Sequence, residues 1–251
     1  MGTTHTATLT PVFDSPLPAV LVALPGSGSD AYFVRQSFAA ACIARGIEFI
    51  AVEPDPTAVV AGYRAALDDA ASRGPVLVAG ISLGAAVALD WAHRRPDAAV
   101  GVVAALPAWT GANTADCPAA LSAATTAAQL RAEGLEPVLE RMRVGSPPWL
   151  AEALTRSWRA HGPLLPDALE EAAQYKWPDA GQLETLPVPM AVITAVDDPV
   201  HPVAVAREWA HRAPRATLIE ITLDELGADP AVLGHTGLRV FDRRDREPGG
   251  A

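Results

Sequence analysis

Short, continuous apolar runs alternate with longer alanine-rich segments of helical period along most of the chain. Strands are predicted at 19–24, 47–53, 76–82, 99–106, 190–196 and 217–222, with a weaker signal at 7–13. The main helices between them are predicted at 37–45, 58–72, 83–94 and 203–212. Because strands that alternate with helices form sheets covered on both faces, we predict an α/β fold with a mostly parallel central sheet of about 7–8 strands.

The alternation stops between residues 107 and 186, where no convincing strand is found. This segment is alanine-rich, and its helical stretches are separated by turn sequences such as EGLEP and VGSPP. We therefore predict a core domain formed by 1–106 and 187–241, and a helical cap formed by 107–186. The charged and then glycine-rich end, 242–251, is predicted to be a flexible, solvated tail.

Composition narrows the class of protein. Of the 251 residues, 50% are hydrophobic, and the formal net charge is -10. This charge argues against nonspecific nucleic-acid binding, which needs a basic surface. Cys42 and Cys117 are expected to be reduced packing thiols. The chain shows neither a signal-peptide pattern nor an apolar run near the roughly 18 residues that span a bilayer, so we expect a cytoplasmic protein.

The most specific motif is Gly80-Ile81-Ser82-Leu83-Gly84, which fits G-x-S-x-G at a predicted strand-to-helix junction. A sharp turn there would hold the Ser82 hydroxyl above the sheet edge. Gly80 and Gly84 would let the strand and the helix pass close to each other. The alternative is that Ser82 only caps the following helix.

On this motif and on the order of elements over residues 9–241, the chain resembles the α/β-hydrolase family. The resemblance implies an α/β-hydrolase fold in which a nucleophilic serine, an acid and a histidine follow one another along the chain. Ser82 is then the nucleophile, and the chemistry needs neither a cofactor nor a metal ion.

The resemblance also implies where the acid lies: in the loop after the strand that follows the cap, often as D-x-x-x-P. The segment Asp198-Pro199-Val200-His201-Pro202 matches that spacing, so Asp198 is the predicted acid. Asp197 would take the role if the loop were shifted by one residue.

The resemblance implies that the base follows the last strand, and His235 is the only histidine beyond the predicted strand 217–222. We therefore predict His235 as the base that activates Ser82. His201 is the rival. It lies three residues after Asp198, which is too local for a relay that reaches Ser82, so we interpret it as a supporting or surface residue.

The glycine-rich turn in ALPGSGSDAYF allows two interpretations. Gly26, Gly28 and Ala31 fit the dinucleotide pattern G-x-G-x-x-A, with Glu53 near the place of a ribose-binding acid. In a hydrolase, the same turn would supply an oxyanion hole. We favour the second, with the backbone N–H groups of Ser27 and Leu83 as donors. Pro25 replaces the histidine usual in the family, so Gly26 or Gly28 could hold the donor instead.

The predicted cap suggests the substrate. It contains four of the six tryptophans, and Trp109 follows a strand end. We predict that Trp109 and Gly26 line the substrate pocket, and that the acyl group is apolar. Arginines exceed acids over residues 141–161, at Arg141, Arg143, Arg156 and Arg159. They indicate either an anionic group on the substrate or an exposed helix face.

These residues lead us to expect a serine hydrolase that cleaves a small-molecule carboxylic ester, thioester or lactone through an acyl-enzyme. Other chemistry on the same scaffold stays open: a carbon–carbon hydrolase, a haloperoxidase-like enzyme or a lyase. A hydrolase-fold binding protein without catalytic activity is the remaining alternative.

Overall fold

A computed structural model describes residues 20–242. Its strands form one parallel sheet in the order β2-β1-β3-β4-β5-β6. They are β1 (Val20–Leu24), β2 (Glu48–Ala51), β3 (Val76–Ile81), β4 (Ala99–Ala105), β5 (Met190–Ala195) and β6 (Ala216–Ile221). The described sheet thus has six strands rather than about 7–8. The predicted strand 7–13 and the predicted tail beyond Asp242 lie outside the described residues.

Helices cover both faces of this sheet, as the alternating pattern predicts. On one face lie α2 (Val59–Ala71), α3 (Leu83–Arg94) and α9 (Val203–Arg212), joined by the short α8 (Ala180–Glu184). On the other lie α1 (Ala31–Ile43), α10 (Leu223–Ala228) and α11 (Val232–Arg239). None of the described helices combines the length and the apolarity needed to cross a bilayer.

The central strands are buried on both faces, which explains their continuous apolar sequence. In β1, Val22 packs into the core under α2 and α3, whereas the next residue, Ala23, packs into the core under α1 and α11. Both side chains are fully buried. Since the sheet is parallel, the carboxyl ends of β1, β3, β4 and β5 meet at one edge, and loop residues there come together.

Between β4 and β5 the chain forms a helical layer over that edge. We call its four main members the cap helices: α4 (Pro118–Glu133), α5 (Leu135–Gly145), α6 (Pro148–His161) and α7 (Leu165–Ala173), with a 3-10 turn at Gly162–Leu164. They share a small apolar core that includes Ala127, Leu130, Leu139, Leu165 and Leu169. The cap helices fall within the predicted insertion 107–186.

Candidate active site

Ser82 sits on a strained turn between β3 and α3. Its backbone has φ 52° and ψ -115°, a conformation that non-glycine residues seldom adopt. A Cβ on Gly80 would lie 2.2 Å from the carbonyl of Gly84, and a Cβ on Gly84 would lie 2.3 Å from the carbonyl oxygen of Leu24. The two glycines are therefore required by the close crossing of strand and helix. The Ser82 side chain makes no capping hydrogen bond to α3, contrary to the capping alternative.

The Ser82 hydroxyl instead meets the imidazole of His201. Ser82 Oγ and His201 Nε2 are 3.0 Å apart, and His201 Nδ1 lies 2.7 Å from Asp198 Oδ2. The carboxylate accepts the Nδ1 proton, so Nε2 is left as the acceptor for the serine proton. Serine, histidine and aspartate thus form one continuous hydrogen-bonded chain, as nucleophilic catalysis requires.

A tight turn explains how an acid and a histidine three residues apart can act in one line. Asp198 Oδ1 accepts the backbone N–H groups of Val200 at 2.7 Å and His201 at 3.1 Å, which folds the loop back on itself. Oδ2 is then free to accept from the His201 ring. Burial raises the pKa of Asp198, but the hydrogen bond and charge of His201 and the two N–H groups outweigh it, so the pKa lies below its usual value.

The prediction that His235 supplies the imidazole at Ser82 is wrong in this structure. His235 is not in a loop but inside α11, on its exposed side. The opposite side carries Gly234 and Gly237: a Cβ on Gly234 would lie 2.6 Å from the Ser37 carbonyl oxygen of α1. The glycines therefore let α11 lie close to its neighbours, which turns His235 outward. Within residues 20–242 its ring has no hydrogen-bond partner.

The neighbouring aspartate has a different contact. Asp197 Oδ1 accepts the backbone N–H of Leu223 at 2.8 Å, at the start of α10. This is a capping role at a helix N-terminus. Of the two candidate acids, the structure brings Asp198 and not Asp197 to the histidine.

The glycine-rich turn lies directly against Ser82. The Ser29 N–H donates to the Gly26 carbonyl at 3.1 Å, and a Cβ on Gly26 would come within 3.4 Å of Ser82 Cβ. In the part of the chain that the structure describes, the N–H groups of Ser27 and Leu83 have no protein acceptor. The turn and the first residue of α3 thus both adjoin the serine. The N–H groups of Gly26 and Gly28 also have no acceptor among the described residues, so Ser27 as the donor stays a prediction.

The dinucleotide interpretation of this turn fails on charge. Glu53 Oε2 accepts the Ala31 N–H at 3.2 Å, and Asp30 Oδ1 accepts the Phe33 N–H at 3.0 Å. Two carboxylates therefore occupy the N-terminus of α1, where a pyrophosphate would bind. A phosphate there would meet like charge instead of free N–H groups.

A cavity of about 730 Å³ opens over Ser82, between the sheet edge and the cap helices. This volume suits a small molecule. Gly26 lines it, as predicted, together with the apolar side chains of Phe33, Trp149, Leu154, Trp158, Leu169 and Val200. Trp109 does not. Its ring packs against the core under α2 and α3, and its N–H donates to the Asn113 carbonyl at 2.7 Å.

Each arginine of the predicted basic segment has a carboxylate partner. Arg141, which reaches the cavity, is held by both Glu133 oxygens at 2.7 and 2.9 Å. The other pairs are Arg143–Glu140, Arg156–Asp30 and Arg159–Glu136. The local excess of arginine in the sequence is thus neutralised by acids from outside the segment or next to it. Within residues 20–242, no group of three or more potential ligand side chains could hold a metal ion.

The sequence pattern of a known family fits this geometry. The family described as "Serine aminopeptidase, S33" matches residues 51–225, more than half of the chain. The chain belongs to this family of α/β-hydrolases. The match includes the Ser82 turn and the Asp198–His201 loop, and ends before His235. No curated protein matches the sequence.

Solved structures of this α/β-hydrolase fold resemble the chain over most of its length. Rv0554 from Mycobacterium tuberculosis is 19% identical with a TM-score of 0.68, covering 90% of this chain and 91% of that chain. A thermophilic esterase from Thermogutta terrifontis is 15% identical, TM-score 0.63, covering 82% of each chain. The enol-lactonase from Burkholderia xenovorans LB400 is 17% identical, TM-score 0.61, covering 82% and 84%. At these identities the likeness shows the fold.

Proposed function

We propose that this protein is a serine hydrolase that cleaves uncharged carboxylic esters, thioesters or lactones with a small apolar acyl group. The single observation that carries the proposal is the continuous chain from Ser82 Oγ to His201 at 3.0 Å and on to Asp198 at 2.7 Å. The proposed base is His201, and the proposed orienting acid is Asp198.

The proposed reaction follows from the proton positions. Ser82 Oγ attacks the carbonyl carbon as His201 Nε2 takes its proton, and the Ser27 and Leu83 N–H groups stabilise the oxyanion. The imidazolium then gives the proton to the departing alcohol, thiol or lactone oxygen, which leaves an acyl-serine. Water attacks the acyl carbon, His201 takes a proton from it, and that proton returns to Ser82 as the acid product leaves.

The cavity supports an uncharged substrate. Asp198 is the one acid among the described residues that line it, and Asp198 is engaged by His201. The one arginine there, Arg141, is neutralised by Glu133. An aminopeptidase must bind the ammonium group of a peptide N-terminus, and an enzyme for anionic substrates needs a free cation. Among the described residues, the cavity has neither an unpaired carboxylate for an ammonium group nor an unpaired arginine for an anion. A neutral ester therefore fits better than a peptide or a carboxylated substrate.

The alternatives differ in how well the contacts support them. The hydrogen bonds between Ser82, His201 and Asp198 argue against a binding protein whose catalytic groups have separated. Carbon–carbon cleavage, haloperoxidase-like or lyase chemistry would use the same three residues. The esterase and the enol-lactonase among the structural neighbours share the fold at 15% and 17% identity, and this likeness does not choose among these reactions.

A substrate panel tests the proposal. Purified wild type and Ser82→Ala are assayed with p-nitrophenyl acetate, butyrate and dodecanoate, γ-butyrolactone, and leucine p-nitroanilide. We expect wild type to cleave the short neutral esters best and Ser82→Ala to lose at least about 10³-fold in kcat. Faster cleavage of the aminoacyl anilide than of every ester would refute the assignment, as would equal activity of Ser82→Ala and wild type.

A further inference from the structure

Cap helix α6 contacts the glycine-rich turn, residues 26–30, through three consecutive residues: Arg156, Ser157 and Trp158. No other run of three in the described cap helices makes such contacts with the segment 26–30. The turn itself has a single internal backbone hydrogen bond, from Ser29 to Gly26. Its geometry therefore depends on what holds it from outside.

The central contact is made by Ser157. Its side chain is buried, and its Oγ donates to the Gly28 carbonyl oxygen at 2.7 Å, in preference to the Leu154 carbonyl of α6 itself at 3.3 Å. Gly28 has φ +66°, in the region that favours glycine, and its carbonyl lies one residue beyond the predicted oxyanion donor Ser27. A buried hydroxyl-to-carbonyl bond of this length fixes the orientation of the Gly28–Ser29 peptide. Through the one intervening peptide it restrains the Gly26–Ser27 peptide, which carries the Ser27 N–H.

The contacts on either side of Ser157 hold the same segment. Arg156 binds both oxygens of Asp30 at 3.0 and 3.1 Å, and its guanidinium lies 4.1 Å from the centroid of the Tyr32 ring. Asp30 is buried and caps α1, so this ion pair ties the cap to the end of the turn. The Trp158 ring covers Gly28: a Cβ at that position would be 3.0 Å from its Nε1.

We propose that α6 sets the position of the Ser27 N–H in the oxyanion hole, with Ser157 as the principal positioning residue. This inference rests on the proposed hydrolase function. Ser157 touches neither the serine nor the substrate in this account and acts only through the turn. The cap would then contribute to the rate of the chemical step as well as enclose the acyl group. A donor displaced by about 1 Å loses much of its effect on the transition state.

The test removes the Ser157 hydroxyl and compares it with a matched control on the same helix. Thr155 donates its hydroxyl to Ala151 of α6 itself at 2.6 Å, so Thr155→Ala removes a helix hydroxyl without touching the turn. Ser157→Ala, Thr155→Ala and wild type are assayed with p-nitrophenyl butyrate. Titration with a fluorophosphonate counts the competent serines. Inhibition by an alkyl trifluoromethyl ketone, whose serine adduct carries an oxyanion, reports on the hole directly.

We expect Ser157→Ala to lower kcat per titrated serine roughly 10- to 100-fold, with KM nearly unchanged. Inhibition by the ketone should weaken by a similar factor. Thr155→Ala should match wild type in both. If Ser157→Ala equals Thr155→Ala in kcat and in ketone inhibition while wild type is active, the positioning role is overturned and the hydrolase function stands. If wild type neither reacts with the fluorophosphonate nor cleaves the ester, the hydrolase function fails, and this inference fails with it.

Discussion

Replacing Gly80 by alanine tests the close crossing of β3 and α3, on which the position of Ser82 depends. The added Cβ would lie 2.2 Å from the carbonyl carbon and oxygen of Gly84 and 2.4 Å from the Ala85 nitrogen. All three are backbone atoms, so no side-chain rotation can relieve the overlap. An ordinary contact begins near 3.4 Å. The strand or the helix must therefore move by more than an ångström, and Ser82 lies between them.

Two effects of this movement can be estimated separately. Forcing a methyl group into a packed interior costs about 1–3 kcal/mol of unfolding free energy, and a backbone clash belongs at the upper end. A displacement of about 1 Å at the nucleophile costs about 10²-fold in rate. We expect Gly80→Ala to lose about 3 kcal/mol of stability and at least about 100-fold in kcat per folded molecule.

Gly62→Ala is the matched control. Gly62 lies inside α2, and a Cβ there would meet only the Asp55 side chain, at 3.7 Å. Alanine is the better helix former, so this change should raise stability by about 0.5–1 kcal/mol and leave kcat unchanged. Urea unfolding gives the stability of both variants, and p-nitrophenyl butyrate hydrolysis gives kcat. Equal behaviour of Gly80→Ala and Gly62→Ala would refute the close crossing.

Three further predictions concern ionisable groups. Asp198→Asn should lower kcat by about 10⁴-fold in ester hydrolysis, because the amide cannot hold the Nδ1 proton as the carboxylate does. The pKa of Asp198 is lower in the folded protein than in the unfolded chain, so its carboxylate adds stability above about pH 4 and this contribution is lost as the pH falls further. The free energy of unfolding, measured in urea, should therefore fall more steeply below about pH 4 in wild type than in Asp198→Asn. Parallel curves would contradict this. Burial raises the pKa of the Cys42 thiol to about 11, although the charge of Arg45 opposes this. Iodoacetamide at about pH 8 should therefore alkylate Cys42 only in denaturant, and mass spectrometry measures this alkylation.

The parts of the fold that the sequence predicts well are those fixed by local pattern. Buried strands such as β3 and β5 need apolar residues on both faces, and the chain shows such runs at 76–82 and 190–196. The Ser82 turn carries its own signature, because only glycine tolerates the contacts at positions 80 and 84. In both cases a few adjacent residues determine the structure.

The imidazole at Ser82 depends on a fold-level arrangement that local pattern does not reveal. His201 lies close to Asp198 in sequence. It contacts Ser82 because the Asp198 turn folds the loop back and because β5, which precedes this loop, is separated from β3 by only one strand, β4. The signal was present as an acid and a histidine three residues apart after a buried strand. The expectation that the base follows the last strand favours His235 instead, although His201 keeps the same order of serine, acid and histidine. Gly234 and Gly237 are three residues apart, which is a spacing typical of helix packing rather than of a loop.

Substrate features were equally hard to predict, because they depend on contacts between distant segments. The arginines of residues 141–161 pair with acids as far away as Asp30, which no local count of charge includes. Trp109 follows a strand end, as expected for a pocket residue, but its ring turns into the main core. Trp149 and Trp158, deeper in the cap, line the cavity instead.

The most direct test of the account compares His201→Ala with His235→Ala. Both remove an imidazole, but only His201 contacts Ser82. The measurement is the second-order rate of fluorophosphonate labelling, with p-nitrophenyl butyrate hydrolysis alongside. We expect His201→Ala to lose at least about 10³-fold in both rates and His235→Ala to remain within about twofold of wild type. Loss of activity in His235→Ala with His201→Ala intact would contradict the account.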